Sequence, residues 1–147
     1  MTAQTGIEAL LRHPPFDMLP QDLGPDLETR VSRRRLAGGE LLYEKGQPLA
    51  GVMVIETGAT QSEAAGGTVV SRRGPGDMLG QRGILSDGRA RVTTRAIEPT
   101  TVFVIPPDIF RNLVRHHPSF GAWFERGTTG DDGPYATGLT ALKVADL

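Results

Sequence analysis

Residues 74–96 read GPGDMLGQRGILSDGRARVTTRA, and the reading of this stretch decides the fold. Gly74-Pro75-Gly76 makes a turn. Gly80, Gly83, Ile84 and Leu85 are spaced to close one short helical turn, and Ser86-Asp87-Gly88 follows as a polar tip. Arg89, Arg91 and Arg95 then arrive among small residues and threonines. The first backbone N–H groups of a helical turn have no partners within the helix and suit an anion. Arginines just downstream add charge and a planar donor fork for phosphate oxygens. Two readings stand side by side: a phosphate cradle, and a solvated hairpin with surface arginines.

Working outward, the flanks are short strands. Leu41-Leu42-Tyr43 lies between Gly38-Gly39 and the turn Lys45-Gly46-Gln47-Pro48. Val52-Met53-Val54-Ile55 is an apolar run bounded by glycines, which predicts a strand buried on both faces. Residues 59–63 and 68–72 flank Ala64-Ala65-Gly66-Gly67 and predict a hairpin. Beyond the central stretch, residues 91–97 and 101–105 are rich in threonine and valine, as strands are. About eight short strands at even spacing are the pattern of a sandwich or jelly roll. The expected fold class is mainly β: an antiparallel β jelly roll from about Leu36 to Ile105, with short flanking helices at both ends.

Helical signals sit outside that span. Leu23, Leu27 and Val31 fall four apart, as one face of a short helix requires, with Pro25 suited to its first turn. The triplet Arg33-Arg34-Arg35 has no aromatic company for stacking on bases, so it reads as a solvated strand edge. After Pro106-Pro107, the residues Ile109, Phe110, Leu113 and Val114 form an apolar stripe that Pro118 stops. Ser119 is placed to cap a second helix over 120–126, with Trp123 and Phe124 as anchors against the barrel. Gly127, Gly130 and Gly133-Pro134 oppose its continuation, so it is expected to end near Arg126 with a mobile segment after it.

Composition narrows the function classes. A chain of 147 residues can bury one domain's core. A net charge of -1 and a pI near 6.3 give no global field for nucleic acid. The absence of cysteine rules out disulfides and thiolate metal sites, and no apolar run reaches the length of a membrane span. These features point to a cytoplasmic protein. No histidine lies between His13 and His116, so a metal-dependent jelly-roll enzyme lacks its ligands, and His116-His117, as helix neighbours, point apart. Neither a Walker loop nor an activated-nucleophile motif is present, and no helix-turn-helix follows residue 126. The expectation is no enzyme, no metal, no catalytic residue, no nucleic-acid partner and no membrane partner.

The glycine spacing Gly39, Gly46, Gly58 around the strands 41–43 and 52–55 resembles the cyclic-nucleotide-binding domain. That family's phosphate cassette falls on residues 80–94, and the likeness covers roughly 16–126. Within the family, HPPFDMLP, DGRARVTTRAIEPTTVFVIP and IFRNLVRHHPSFGAWF are similar to bacterial signal-transduction proteins that join such a sensor to a CBS pair and a nucleotidyltransferase-like region. Residues 139–147 resemble the start of a CBS domain. The resemblance implies a sensor domain over 1–126, then a linker and a truncated CBS start over 127–147. It implies a regulatory role with cAMP, cGMP or another phosphorylated nucleotide as ligand, no other cofactor, and room for a homodimer. The alternative is a degenerate domain that serves oligomerisation or docking.

The resemblance also assigns the ligand-binding positions: Leu79, Gly80, Gln81, Arg82, Gly83, Arg89, Ala90 and Arg91. Gly80 matches the cassette glycine, but Gln81 stands where the family has a ribose-binding glutamate. Counting back from Ala96-Ile97-Glu98 puts Ala90 at the phosphate arginine's position. Counting forward from Gln81 gives Arg89 or Arg91. Strand side chains alternate faces, so Arg89 and Arg91 share one face and Ala90 takes the other. Arg82, on the turn itself, is a substitute whose plain alternative is surface charge. These departures predict weak binding of unmodified cAMP.

Overall fold

The computed structural model describes residues 7–64, 66 and 68–125. The expected linker, its mobility and the CBS-like start lie outside them. Two four-stranded antiparallel sheets face each other as a jelly roll. One has the strand order β1-β8-β3-β6 and the other β2-β7-β4-β5. The strands are β1 (Ser32–Leu36), β2 (Leu41–Tyr43), β3 (Val52–Thr57), β4 (Thr60–Glu63), β5 (Val69–Arg73), β6 (Met78–Leu79), β7 (Thr93–Ala96) and β8 (Thr100–Ile105). The helices are α1 (Glu8–Leu11), α2 (Gly24–Arg30), α3 (Gln81–Ile84), α4 (Pro107–His116) and α5 (Pro118–Glu125).

The core follows from the apolar run. β3 lies between β8 and β6, and α1 also packs against it, so Val52, Met53, Val54 and Ile55 are all buried. Val102, Phe103 and Ile105 of β8 and Leu79 of β6 complete the same layer. In the middle strands of the second sheet alternate residues are buried: Thr60 and Ser62 on β4, Thr94 and Ala96 on β7. Its inner face is therefore partly hydroxylated, while Gln61, Glu63 and Arg95 stand on the outer face.

The roll begins four residues before the expected Leu36. Arg33 and Arg34 fail as solvated residues because each has a specific place. Arg33 grips Glu56 through Nε and Nη2 at 2.8 and 3.2 Å and lies over the Phe103 ring. Arg34 donates to the Leu41 and Leu42 carbonyls at 3.1 and 3.0 Å, tying the edge of one sheet to the edge of the other. The strand over 91–97 contracts to β7, because residues 89–92 run as a loop into it.

At the C-terminal end, α5 starts at Pro118, one residue before the expected cap. Its anchor is Phe120, which is fully buried, whereas Trp123 and Phe124 are only partly so. Phe120 meets Phe16 edge-on at 5.3 Å and Phe110 at 5.8 Å, and Phe124 meets Phe110 at 5.2 Å. These aromatics join α4 and α5 to the N-terminal segment, within the same core cluster as the barrel residues.

Candidate functional site

β6 ends at Leu79, and Gly80 reverses the chain into α3 with φ +82°, a left-handed conformation that costs an L side chain about 1–2 kcal/mol. The turn that follows is closed by backbone bonds from Ile84 N–H to Gly80 and from Leu85 N–H to Gln81. The N–H groups of Ser86 and Gly88 both donate to the Gly83 carbonyl, folding the polar tip back over the turn. The expected helical turn therefore exists and is followed by a tight loop, not an open hairpin.

Downstream, the alternation of exposure decides the arginine register. Ala90, Val92, Thr94 and Ala96 are buried, while Arg89 and Arg91 are exposed and Thr93 and Arg95 half-exposed. Ala90, 5% exposed, thus faces the interior at the position that counting back selects. Its backbone is paired on both sides with the β2–β3 connection, through Ala90 N–H to Gln47 and Gly46 N–H to the Ala90 carbonyl. Arg89 Nη1 instead donates to the Gly46 carbonyl at 2.9 Å, and Arg91 Nη2 to Ser86 Oγ at 2.9 Å. Arg82 is exposed on the outer side of α3. The eight residues of the sequence set therefore divide. Leu79, Gly80, Gln81, Gly83 and Ala90 come together inside, and the three arginines are outside.

Inside, the groups next to the turn are neutral. Gln81 is 1% exposed, so the polar side chain at the start of the turn is a buried, uncharged amide. On the second sheet, Ser62 and Thr94 share a hydroxyl–hydroxyl bond of 3.2 Å, and Ser71 pairs with Ser62 across β4 and β5. Thr60 Oγ1 and Ser71 Oγ are buried without a hydrogen-bond partner among the described residues. Among the described residues, a carboxyl held away from its ordinary acidity lies on the outer face. The Gln61 amide holds the Glu63 carboxyl below its ordinary value, burial opposes this, and Arg95 at 3.2 Å adds to the lowering.

Two features of the site had no signal of their own in the sequence. Leu49, whose N–H donates to the Gly88 carbonyl, rests its side chain on the bare faces of Gly80 and Gly83. Arg111 of α4 donates from Nε and Nη2 to the Ile84 carbonyl, clamping the end of α3. Both residues come from segments distant in sequence, and only the closed roll brings them to the turn.

The cyclic nucleotide-binding domain family model matches residues 33–117, more than half of the chain. The chain belongs to the cyclic nucleotide-binding domain family. The match runs from β1 to the end of α4 and includes the whole cassette turn. Among solved structures, cAMP-bound PfPKA-R superposes with a TM-score of 0.71 at 13% identity, covering 82% of this chain and 42% of that one. The Thermus thermophilus catabolite activator protein gives 0.62 at 19% identity, covering 76% and 56%. These likenesses are of fold, the fold of cyclic-nucleotide-binding regulatory domains. By sequence, the chain is 24% identical over 92 residues to an uncharacterized NTE family protein of Mycobacterium tuberculosis, and equally to one of Mycobacterium bovis. It matches 63% of its own length but only 16% of theirs.

Proposed function

We propose that this cyclic nucleotide-binding domain is a non-enzymatic regulatory module of a bacterial signalling protein, one that holds unmodified cAMP or cGMP only weakly. The observation that carries this is the inward Ala90 between two outward arginines, beside the buried Gln81. A charge-assisted hydrogen bond contributes about 1.5–3 kcal/mol, against roughly 1 for a neutral one. Losing two such bonds lowers affinity by a factor of about a hundred or more. The ligand class that remains is a phosphorylated nucleotide held through neutral groups of the cassette and the hydroxyls of β4, β5 and β7.

A second reading, a docking module that takes no nucleotide, is favoured by Leu49, which covers the two glycines of the turn. Calorimetric titration with cAMP, cGMP and AMP separates the two. Dissociation constants weaker than about 10 μM support the weak sensor. No heat with any nucleotide at millimolar concentration selects the docking module, and sub-micromolar cAMP binding overturns both. The double variant Gln81→Glu/Ala90→Arg is expected to regain roughly a hundredfold in cAMP affinity.

A further inference from the structure

The outer side of the cassette carries charge that the interior lacks. Arg89, Arg91, Arg111 and Arg115 are all exposed. The first three donate only to neutral oxygens, those of Gly46, Ser86 and Ile84. Arg115 stands one helical turn beyond Arg111, and among the described residues no carboxylate pairs with it. An arginine bound to a neutral acceptor keeps its full charge for a partner. Acids near this face are Asp87, which already accepts from the Arg89 N–H, Asp108 at the start of α4, and the exposed Glu44 two residues before Gly46.

Leu85 stands in the middle of this face, 41% exposed. Its neighbour Ile84 is held by Arg111, and its other neighbour Ser86 by Arg91, so a leucine projects with a guanidinium on either side. The three anchored arginines hold three separate points and do not converge on one small anion. A nucleic acid binds in proportion to the phosphates neutralised, and a lone leucine without aromatic company offers its bases no stacking platform. An anionic bilayer presents charge over an area and accepts both basic side chains and a leucine at its interface. We propose that this face, Leu85 with Arg89, Arg91, Arg111 and Arg115, docks on anionic lipid membranes. The proposal goes beyond nucleotide binding and does not depend on it.

The test is flotation of the whole chain with vesicles at near-physiological salt. One set is pure phosphatidylcholine, and in the other about a third is phosphatidylglycerol. Association with the anionic set alone, released by added salt, is expected. Each basic residue near such a surface is worth about 1 kcal/mol, a factor of about five. The variant Arg89→Gln/Arg91→Gln should therefore bind about twenty-five-fold more weakly. Arg115→Gln, which disturbs no bond among the described residues, should lose about fivefold with an unchanged melting temperature. Leu85→Ser should also weaken association. Equal binding to both vesicle sets, no binding to the anionic set, or indifference to these substitutions overturns the proposal. So does capture by duplex DNA or polyglutamate in the absence of any lipid association.

Discussion

Arg111 on α4 donates two hydrogen bonds, at 3.2 and 3.1 Å, to one carbonyl oxygen, that of Ile84 at the end of α3. The cassette turn is thereby fastened to the helix that leaves the barrel. A carbonyl so near a helix C-terminus has no partner further along the chain, and a planar guanidinium supplies two donors at once. Arg111→Ala is expected to cost about 1 kcal/mol, since the pair is partly exposed to water. Amide exchange should quicken selectively at Ser86 and Gly88. Arg111→Lys, a point charge without the fork, should recover less than half of that protection, and unchanged exchange in Arg111→Ala would show that the clamp is idle.

The two glycines of the turn are there for different reasons, and alanine distinguishes them. At Gly83 a Cβ would overlap the Arg89 carbonyl oxygen and lie 2.8 Å from Leu49, so Gly83→Ala forces the loop off the turn. The expected cost is about 3 kcal/mol, measured by urea unfolding. At Gly80 the nearest atom to a Cβ is 3.5 Å away, and only the left-handed φ resists, at about 1–2 kcal/mol. A Gly80→Ala variant less stable than Gly83→Ala would contradict this packing.

Thr60 is fully buried, and its hydroxyl has no hydrogen-bond partner among the described residues. Thr60→Val keeps the shape and removes the polar atom, so it should raise stability by about 1 kcal/mol. Ser62→Ala is expected to do the opposite, because it strands the Thr94 hydroxyl bonded to it. Thermal melts of the two variants should shift in opposite directions.

The Glu63 carboxyl is held below its ordinary value of 4.5, first by Gln61 and further by Arg95. A carboxyl lowered in the folded state contributes stability above its unfolded value and loses it as pH falls through the folded one. Glu63→Gln should therefore be less stable than the parent at neutral pH. The gap should narrow below pH 4.5 and close as the pH falls through the lowered folded value. Urea unfolding across that range checks it, and a gap that widens toward acid would reverse the sign.

The fold was legible because its signals are local. The apolar run at 52–55 and the glycine turns set strand after strand, and β2 falls on the residues that its flanking turns bracket. The alternation that sets Ala90 against Arg89 and Arg91 could be counted, but which of them turns inward stayed open, because residues 89–92 form a loop whose register no strand period fixes. Three things were not legible. Arg33 reads as surface charge until Glu56 and Phe103 are brought beneath it by the sheet. Phe120, not Trp123, is the buried anchor because Phe16 and Phe110 fix which face of α5 turns inward. The roles of Leu49 and Arg111 depend on approaches between segments far apart in sequence, which no local pattern encodes.

Leu49 also bears on time. Its side chain sits on Gly80 and Gly83 while its own backbone is bonded to Gly88, and the adjoining residues 46 and 47 are bonded to Ala90. Leu49 is 7% exposed, so its side chain is enclosed, and the segment that carries it is laced to the far side of the cassette. A molecule bound for that turn would have to wait for the two segments to part. Its arrival would then be gated by the protein's own opening, with an observed association rate that levels off as concentration rises, in place of the straight line of a simple encounter.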